Sequence, residues 1–220
     1  SFLENMMWDQ GYLDTKQMAG AFQLLRSKDL IWSRYVHEYL MGKRQEMFDL
    51  MAWNADATRM PYRMHAEYLR HFFLRNELAR GRYEVDGRPV ALRDIAVPIF
   101  CVSTTSDHVA PWRSVYKLHV LADTDITFAL GNGGHNAGIV SEPGHAGRHY
   151  RLRTSPEDEP FISPDSWEQE ADHHDGSWWP AWIEWLQARS SGWVEPPEPG
   201  GGLRAYRPRA DAPGTYVMQM

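Results

Sequence analysis

The 220-residue chain carries a formal charge of −6 with its lysines and arginines scattered, which excludes a basic face for nucleic acid and a polybasic anchor for anionic lipid. No apolar run approaches the roughly 18 residues needed for a membrane span, and the single cysteine, Cys101, excludes an internal disulfide framework and suits a reducing compartment. By length the chain is one domain, or a domain plus a subdomain, and its first residue, Ser1, with no signal-like segment after it, reads as a boundary within a longer sequence.

The first part predicts helices. Asp14 and Gln17 resemble a capping box, with Met18, Phe22 and Leu25 on one face of the helix that follows. Asp29 is placed to cap a second helix running to Gly42. There Ile31, Tyr35 and Tyr39 share one face and Trp32, Val36 and Leu40 an adjacent one, a stripe wide enough to imply burial on more than one side. The segment from Phe48 to Thr58 is too polar and irregular for a core helix and reads as a shaped connection. Pro61 suits the first turn of a third helix, with Met64, Tyr68 and Phe72 at intervals of four and Gly81 beyond its end.

Then the period changes. Tyr83 and Val85, the turn Asp86-Gly87, and Val90 and Leu92 predict a short hairpin. A strand from Val97 to Thr104, a helix from Trp112 to Leu121 and a strand from Asp125 to Leu130 have the spacing of a parallel crossover in an α/β fold. From His135 to about Pro164 the chain is rich in Gly, Pro and charge and reads as a long connection. A Trp-rich helix follows from Trp178 to Leu186, and the Pro-, Gly- and Glu-rich stretch from Glu195 to Gly202 predicts an extended tail laid over the surface. The 10 Trp, 10 Tyr and 8 Phe call for a lined pocket, an apolar interface or a core dense in rings.

Two residues stand where chemistry collects in such a sheet, just beyond the carboxyl ends of strands: Asp107 after the first crossover strand and His135 after the second. An acid followed by a histidine is the order of the last two members of a nucleophile–acid–histidine triad. The nucleophile of that arrangement precedes both on a G-x-S-x-G or G-x-C-x-G elbow, and the sequence contains no such elbow. The carboxylate would fix the imidazole tautomer, and the imidazole would take a proton from a nucleophile or acceptor. An Asp that caps the next helix and a histidine in a Gly-rich loop give the same pattern. Cys101 lies inside a strand rather than on a strained turn, as a structural cysteine does. His173 and His174, flanked by Asp172 and Asp175, read as a solvated turn rather than a metal site, because adjacent residues point apart and no second ligand pair stands at i, i+4. Gly131-Asn132-Gly133-Gly134 lacks the Lys-Ser/Thr of a phosphate loop.

Three motifs are more specific than these patterns: Asp107-His108-Val109-Ala110-Pro111-Trp112, Gly133-Gly134-His135-Asn136-Ala137-Gly138-Ile139-Val140 and Gly176-Ser177-Trp178-Trp179-Pro180-Ala181-Trp182. With Leu24 to Trp32, Phe48 to Pro61 and Ala212 to Val217, they resemble the C-terminal motifs of the polyhydroxyalkanoate synthases across essentially the whole chain. The resemblance implies the C-terminal portion of an α/β-hydrolase fold with a helical cap subdomain. Residues 1–81 would be the cap region, 82–192 the C-terminal part of the core with the acid and histidine loops, and 193–220 the extended tail.

It implies an acyltransferase that polymerises (R)-3-hydroxyacyl-coenzyme A into polyester with release of coenzyme A. Asp107 and His135 would be the catalytic acid and base and His108 a supporting residue. The nucleophilic cysteine would lie upstream of Ser1, so that this chain alone is inactive. No cofactor and no metal are implied beyond the coenzyme A thioester substrate. The implied partners are that substrate, the growing polyester chain or granule, and a second copy in a homodimer through the catalytic domain; the implied location is the cytoplasm, at the granule surface. Asn136 stands where many members carry Ile, and Ser141-Glu142-Pro143 where many carry Asn-Pro-Pro, as in a divergent branch. The same dyad with water as acceptor would give an esterase or depolymerase, and a chain without an elbow would also serve as a non-catalytic partner of a synthase.

Overall fold

A computed structural model of the chain describes residues 11–13, 31–33, 35–43, 60–200, 206–211 and 214–215. The helix expected after Asp14, the cap at Asp29, the connection Phe48 to Thr58 and the closing motif from Ala212 to Val217, apart from Gly214 and Thr215, lie outside these residues. The chain divides into two compact units, Ser1–Val97 with Leu118–Thr124, and Pro98–Lys117 with Asp125–Met220.

In the first unit, β1 (Tyr12–Leu13) pairs antiparallel with β2 (Met60–Pro61). The second expected helix is present as a wide, π-type turn at Tyr35–Leu40, which brings Tyr35 and Tyr39 into a stack with ring centroids 5.5 Å apart. Its two apolar faces are not buried. Ile31, Trp32, Tyr35, Val36, Tyr39 and Leu40 are all exposed, which corrects the expectation of burial on more than one side. Period shows which side chains share a face and leaves open what covers that face.

Pro61 stands at the N-cap of α1 (Tyr62–Tyr68), which widens into a π-type continuation over Leu69–Leu74 and ends there, well short of Gly81. β3 (Tyr83–Val85) and β4 (Arg88–Val90) form the expected hairpin, with Asp86 and Gly87 both at positive φ, 51° and 73°. This is the primed turn whose twist matches that of the strands.

The second unit is a mixed α/β assembly around a four-stranded sheet of order β5-β6-β7-β8: β5 (Ile99–Thr104), β6 (Ile126–Gly131), β7 (His149–Ser155) and β8 (Asp172–Asp175). The crossover pair is parallel, Ile99 opposite Ile126 through Thr104 opposite Gly131. Helix α2 (Trp112–Val115), continued by a 3-10 stretch over Tyr116–Val120, lies between these strands in sequence. β7 and β8 pair antiparallel in succession.

Two of these strands correct the sequence reading. The stretch taken as one long connection contains β7, in which Tyr150, Leu152 and Thr154 alternate with charged or polar residues. His173 and His174, taken as a solvated turn, lie in edge strand β8, where all four side chains are exposed. A strand with no apolar residue announces itself only through its partner.

Between β7 and β8 runs α3 (Pro164–Glu170), started by Ser163, whose Oγ accepts from Ser166 N at 3.1 Å, with Pro164 in the first turn. Its Trp167 is fully buried against Phe128 of β6, ring centroids 5.1 Å apart and edge to face. Trp112 and Tyr116 complete the cluster at 6.1 and 5.9 Å from Trp167. β6 is buried at every position and is the centre of this core. The Trp-rich helix is α4 (Trp179–Gln187), and residues 191–198 beyond it are irregular and exposed.

Candidate active site

Because β5 and β6 are parallel and in register to their last residues, the loops that leave them emerge at the same end of the sheet. They are then joined by backbone bonds. Thr105 N donates to Gly131 O at 2.9 Å and Ser106 N to Gly133 O at 3.0 Å. This zipper delivers Asp107 to the side of His135, and the imidazole Nδ1 lies 2.8 Å from Asp107 Oδ2.

The carboxylate does two jobs with its two oxygens. Oδ1 accepts Val109 N at 2.8 Å and Ala110 N at 2.9 Å, which closes the turn into α2, while Oδ2 meets the histidine. One side chain thus closes its own loop and meets the histidine; it does not cap α2, whose N-cap is Pro111. Burial pushes the Asp107 carboxyl up. The bonds from Ala110 N, His135 and Val109 N together outweigh it and hold the group below the ordinary carboxylate range. An ionised carboxylate can only accept, so in the neutral imidazole the proton sits on Nδ1 and the lone pair on Nε2. Asp107 is nearly covered while His135 is half exposed, so the carboxylate is protected and the imidazole can be reached.

The loop that carries His135 is shaped by glycines. Gly133 has φ +109° and packs against Arg148, whose Nη1 would lie 2.9 Å from any Cβ placed there. A Cβ at Gly138 would collide with Thr104 Cγ2 and come within 2.9 Å of Asn132 O and 3.0 Å of Gly134 O. The Gly-rich run is thus a close-packed turn that presents a side chain.

No protein-family model matches the chain. Among curated proteins it is 41% identical, over 216 residues, to a poly(3-hydroxyalkanoate) polymerase of Methylorubrum extorquens, covering 98% of this chain and 35% of that protein. It is 37% identical over 213 residues to poly(3-hydroxyalkanoate) polymerase 2 of Ectopseudomonas oleovorans, 96% and 37% of the two chains. To a poly(3-hydroxyalkanoate) polymerase subunit of Cupriavidus necator it is 38% identical over 203 residues, 91% and 33%. The chain belongs to the poly(3-hydroxyalkanoate) polymerase family. It spans about a third of the length of the curated relatives it matches.

Within this polymerase-family segment the remaining candidate residues separate clearly. Cys101 sits in the interior of β5, opposite Phe128, and burial pushes its thiol up to about 11, so it is protonated and inert at neutral pH. His108 is exposed beside the acid, and no hydrogen bond among the described residues engages it. His173 stacks on His149 across the strands at 5.3 Å and His174 on Tyr150 at 5.0 Å. Among the described residues no group of three or more His, Cys, Asp or Glu is placed to hold a metal, and no helix is long and apolar enough to cross a membrane.

Sequence reasoning missed Asn132, which fastens the base of the histidine loop to β7. Its Nδ2 donates to Gly147 O at 2.9 Å and its Oδ1 accepts His149 N at 3.2 Å. An Asn between glycines was the available signal, since such a residue supplies a turn with both a donor and an acceptor.

Proposed function

We propose that this chain supplies the acid and the base of a polyhydroxyalkanoate synthase, an acyltransferase of α/β-hydrolase fold with a helical cap over residues 1–81. What carries the reading is the bond between His135 Nδ1 and Asp107 Oδ2 at the common end of two parallel strands, in a chain whose relatives are named poly(3-hydroxyalkanoate) polymerases. The nucleophile is a cysteine outside this segment, on an elbow preceding it. His135 Nε2 takes the proton of that thiol, and the thiolate attacks the carbonyl of an (R)-3-hydroxyacyl-coenzyme A thioester. The tetrahedral adduct expels the coenzyme A sulfur, which leaves as the thiol with the proton returned from His135.

The acyl group, now on the cysteine, is attacked by the hydroxyl of a second 3-hydroxyacyl group. That proton passes to His135 as the ester bond forms and the cysteine sulfur departs. Asp107 keeps the imidazole proton on Nδ1 throughout and stabilises the imidazolium. His108, next to the acid, supports the site. The growing polyester, its granule surface in the cytoplasm, and a homodimer through the catalytic domain are the surroundings this reading places around the segment.

The test uses a chain in which this segment is continuous with the cysteine-bearing one. His135→Ala should lower coenzyme A release about 10²–10⁴-fold or more, and Asp107→Asn should slow turnover severely while leaving substrate binding in place. Wild-type turnover in either variant overturns the dyad. Release of free hydroxy acid without polymer would instead assign the same dyad to a hydrolase. The segment by itself should release no coenzyme A from 3-hydroxybutyryl-coenzyme A; release abolished by Cys101→Ser would overturn the placement of the nucleophile.

A further inference from the structure

Three consecutive side chains at the start of α4 each donate a hydrogen bond to a backbone carbonyl of the loop that follows His135. Trp178 Nε1 donates to Gly138 O at 3.2 Å, Trp179 Nε1 to Ile139 O at 3.0 Å, and Ser177 Oγ to Ser141 O. Ser177, Trp178 and Ser141 are buried. His135 itself lies in a turn closed by Gly138 N donating to Gly134 O at 3.0 Å, and that turn is held at both ends. Thr104 Oγ1 donates to Gly134 O at 3.3 Å before the histidine, and the Trp178 indole takes Gly138 O after it.

The indole is in turn fixed by its ring. Trp178 stacks near Phe100 of β5 at 6.3 Å and packs at a tilt on Trp182 of α4 at 5.9 Å, and its Cδ1 would lie 3.7 Å from a Cβ at Gly131. Trp179 N donates to Ser177 Oγ at 3.0 Å, which aims the serine hydroxyl at its carbonyl. An indole N–H can only donate and has few rotamers, so a carbonyl bonded to it has little freedom to swing.

We infer that Ser177, Trp178 and Trp179 are positioning residues for His135: they fix the turn that presents the imidazole to Asp107 and to an incoming proton. The catalytic consequence rests on the functional reading above, whereas the hold on the loop does not. An imidazole that must meet a carboxylate at one nitrogen and a reacting proton at the other loses its function with small displacements, because proton transfer needs hydrogen-bond geometry.

The experiment replaces Trp178, and separately Trp179, with 3-benzothienylalanine, which keeps the ring shape and exchanges the N–H for sulfur; Trp178→Phe is the genetic counterpart and Trp185→Phe, at an indole whose N–H has no hydrogen-bond partner among the described residues, is the control. In the intact chain, the long-range proton–nitrogen spectrum of His135, assigned by its loss in His135→Gln, reports whether Nδ1 carries the proton. Amide exchange of Ile139 and Val140 reports the loop. The expected result is about fivefold or faster exchange at these amides for each bond removed, and a His135 ring spectrum that moves toward mixed tautomers, with the thermal midpoint of the benzothienyl variants close to wild type.

An unchanged His135 spectrum and unchanged exchange in both substituted proteins overturn the inference, as does an equal change in Trp185→Phe. In the polymerase-competent chain the same variants should lower kcat with KM nearly unchanged. If they alter His135 while His135→Ala leaves turnover intact, the positioning stands and the functional reading falls.

Discussion

Two sets of aromatic side chains with similar helical or strand spacing end in opposite surroundings. Trp112, Tyr116, Phe128 and Trp167 close on one another in the second unit, with Phe128 and Trp167 at 0% exposure. Trp32, Tyr35 and Tyr39, together with Phe73, stay exposed in the first, Tyr39 at 78%. Ring content and period do not distinguish the sets. What differs is long-range partnership: Phe128 belongs to a strand bonded on both sides, by β5 and β7, and Trp167 arrives from a helix lying between β7 and β8 in sequence. An apolar face is a demand for cover, and only contacts distant in sequence meet it.

The largest effect that tests this difference should come from the centre of the buried set. Trp167→Ala removes a side chain that touches Trp112, Tyr116 and Phe128, and should cost about 3–5 kcal/mol by urea or thermal unfolding. A cost under about 1 kcal/mol would show that the ring cluster is not the core, since surface changes stay within roughly half that.

Next in size is overpacking beside the dyad. Gly138→Ala drives a methyl against Thr104 and the carbonyls of Asn132 and Gly134, and should cost about 1–3 kcal/mol while disturbing the His135 turn. Equal stability with an undisturbed His135 ring spectrum would mean the loop is looser than these contacts require.

The β5–β6 crossover and the positions of Asp107 and His135 were legible because short, largely apolar runs ending in polar loops, the second of them Gly-rich, have few other readings. α4 was legible from its tryptophans. α3 was not, because Trp167 is its one large apolar residue, although Ser163-Pro164 is a start signal. β7 was hidden by Arg151 and Arg153, which are half-buried and bonded within the fold, and β8, Asp-His-His-Asp, carries no apolar signal at all. The site was legible as a pair and illegible as a supported pair. Trp178 and Trp179 stood out as the opening of a Trp-rich helix and Ser177 only within a motif, while the carbonyls they hold lie about 40 residues earlier, a distance that period cannot bridge.

The dyad also predicts a smaller, pH-dependent effect. Asp107 has its carboxyl lowered in the folded chain, so its stabilisation is fully present above the ordinary aspartate value of about 4 and is lost as pH falls through its own lower value. The difference in thermal midpoint between wild type and Asp107→Asn should therefore be constant from neutral pH down to about 4 and shrink below it. A gap that already closes well above pH 4 would show that the effect does not come from this carboxylate.

The smallest effect belongs to the exposed set, and its smallness is the point. Tyr39→Ser removes a ring whose partner is Tyr35 and which otherwise faces solvent, so the folded chain loses one stacking contact and little burial. The expected change is within about 0.5–1 kcal/mol, against the 3–5 kcal/mol of Trp167→Ala. Sedimentation at increasing concentration supplies the second reading, because an exposed apolar stripe favours self-association and its removal should reduce it. A Tyr39→Ser variant that unfolds as readily as Trp167→Ala would show that the stripe is covered after all, and the division between buried and exposed rings would fall with it.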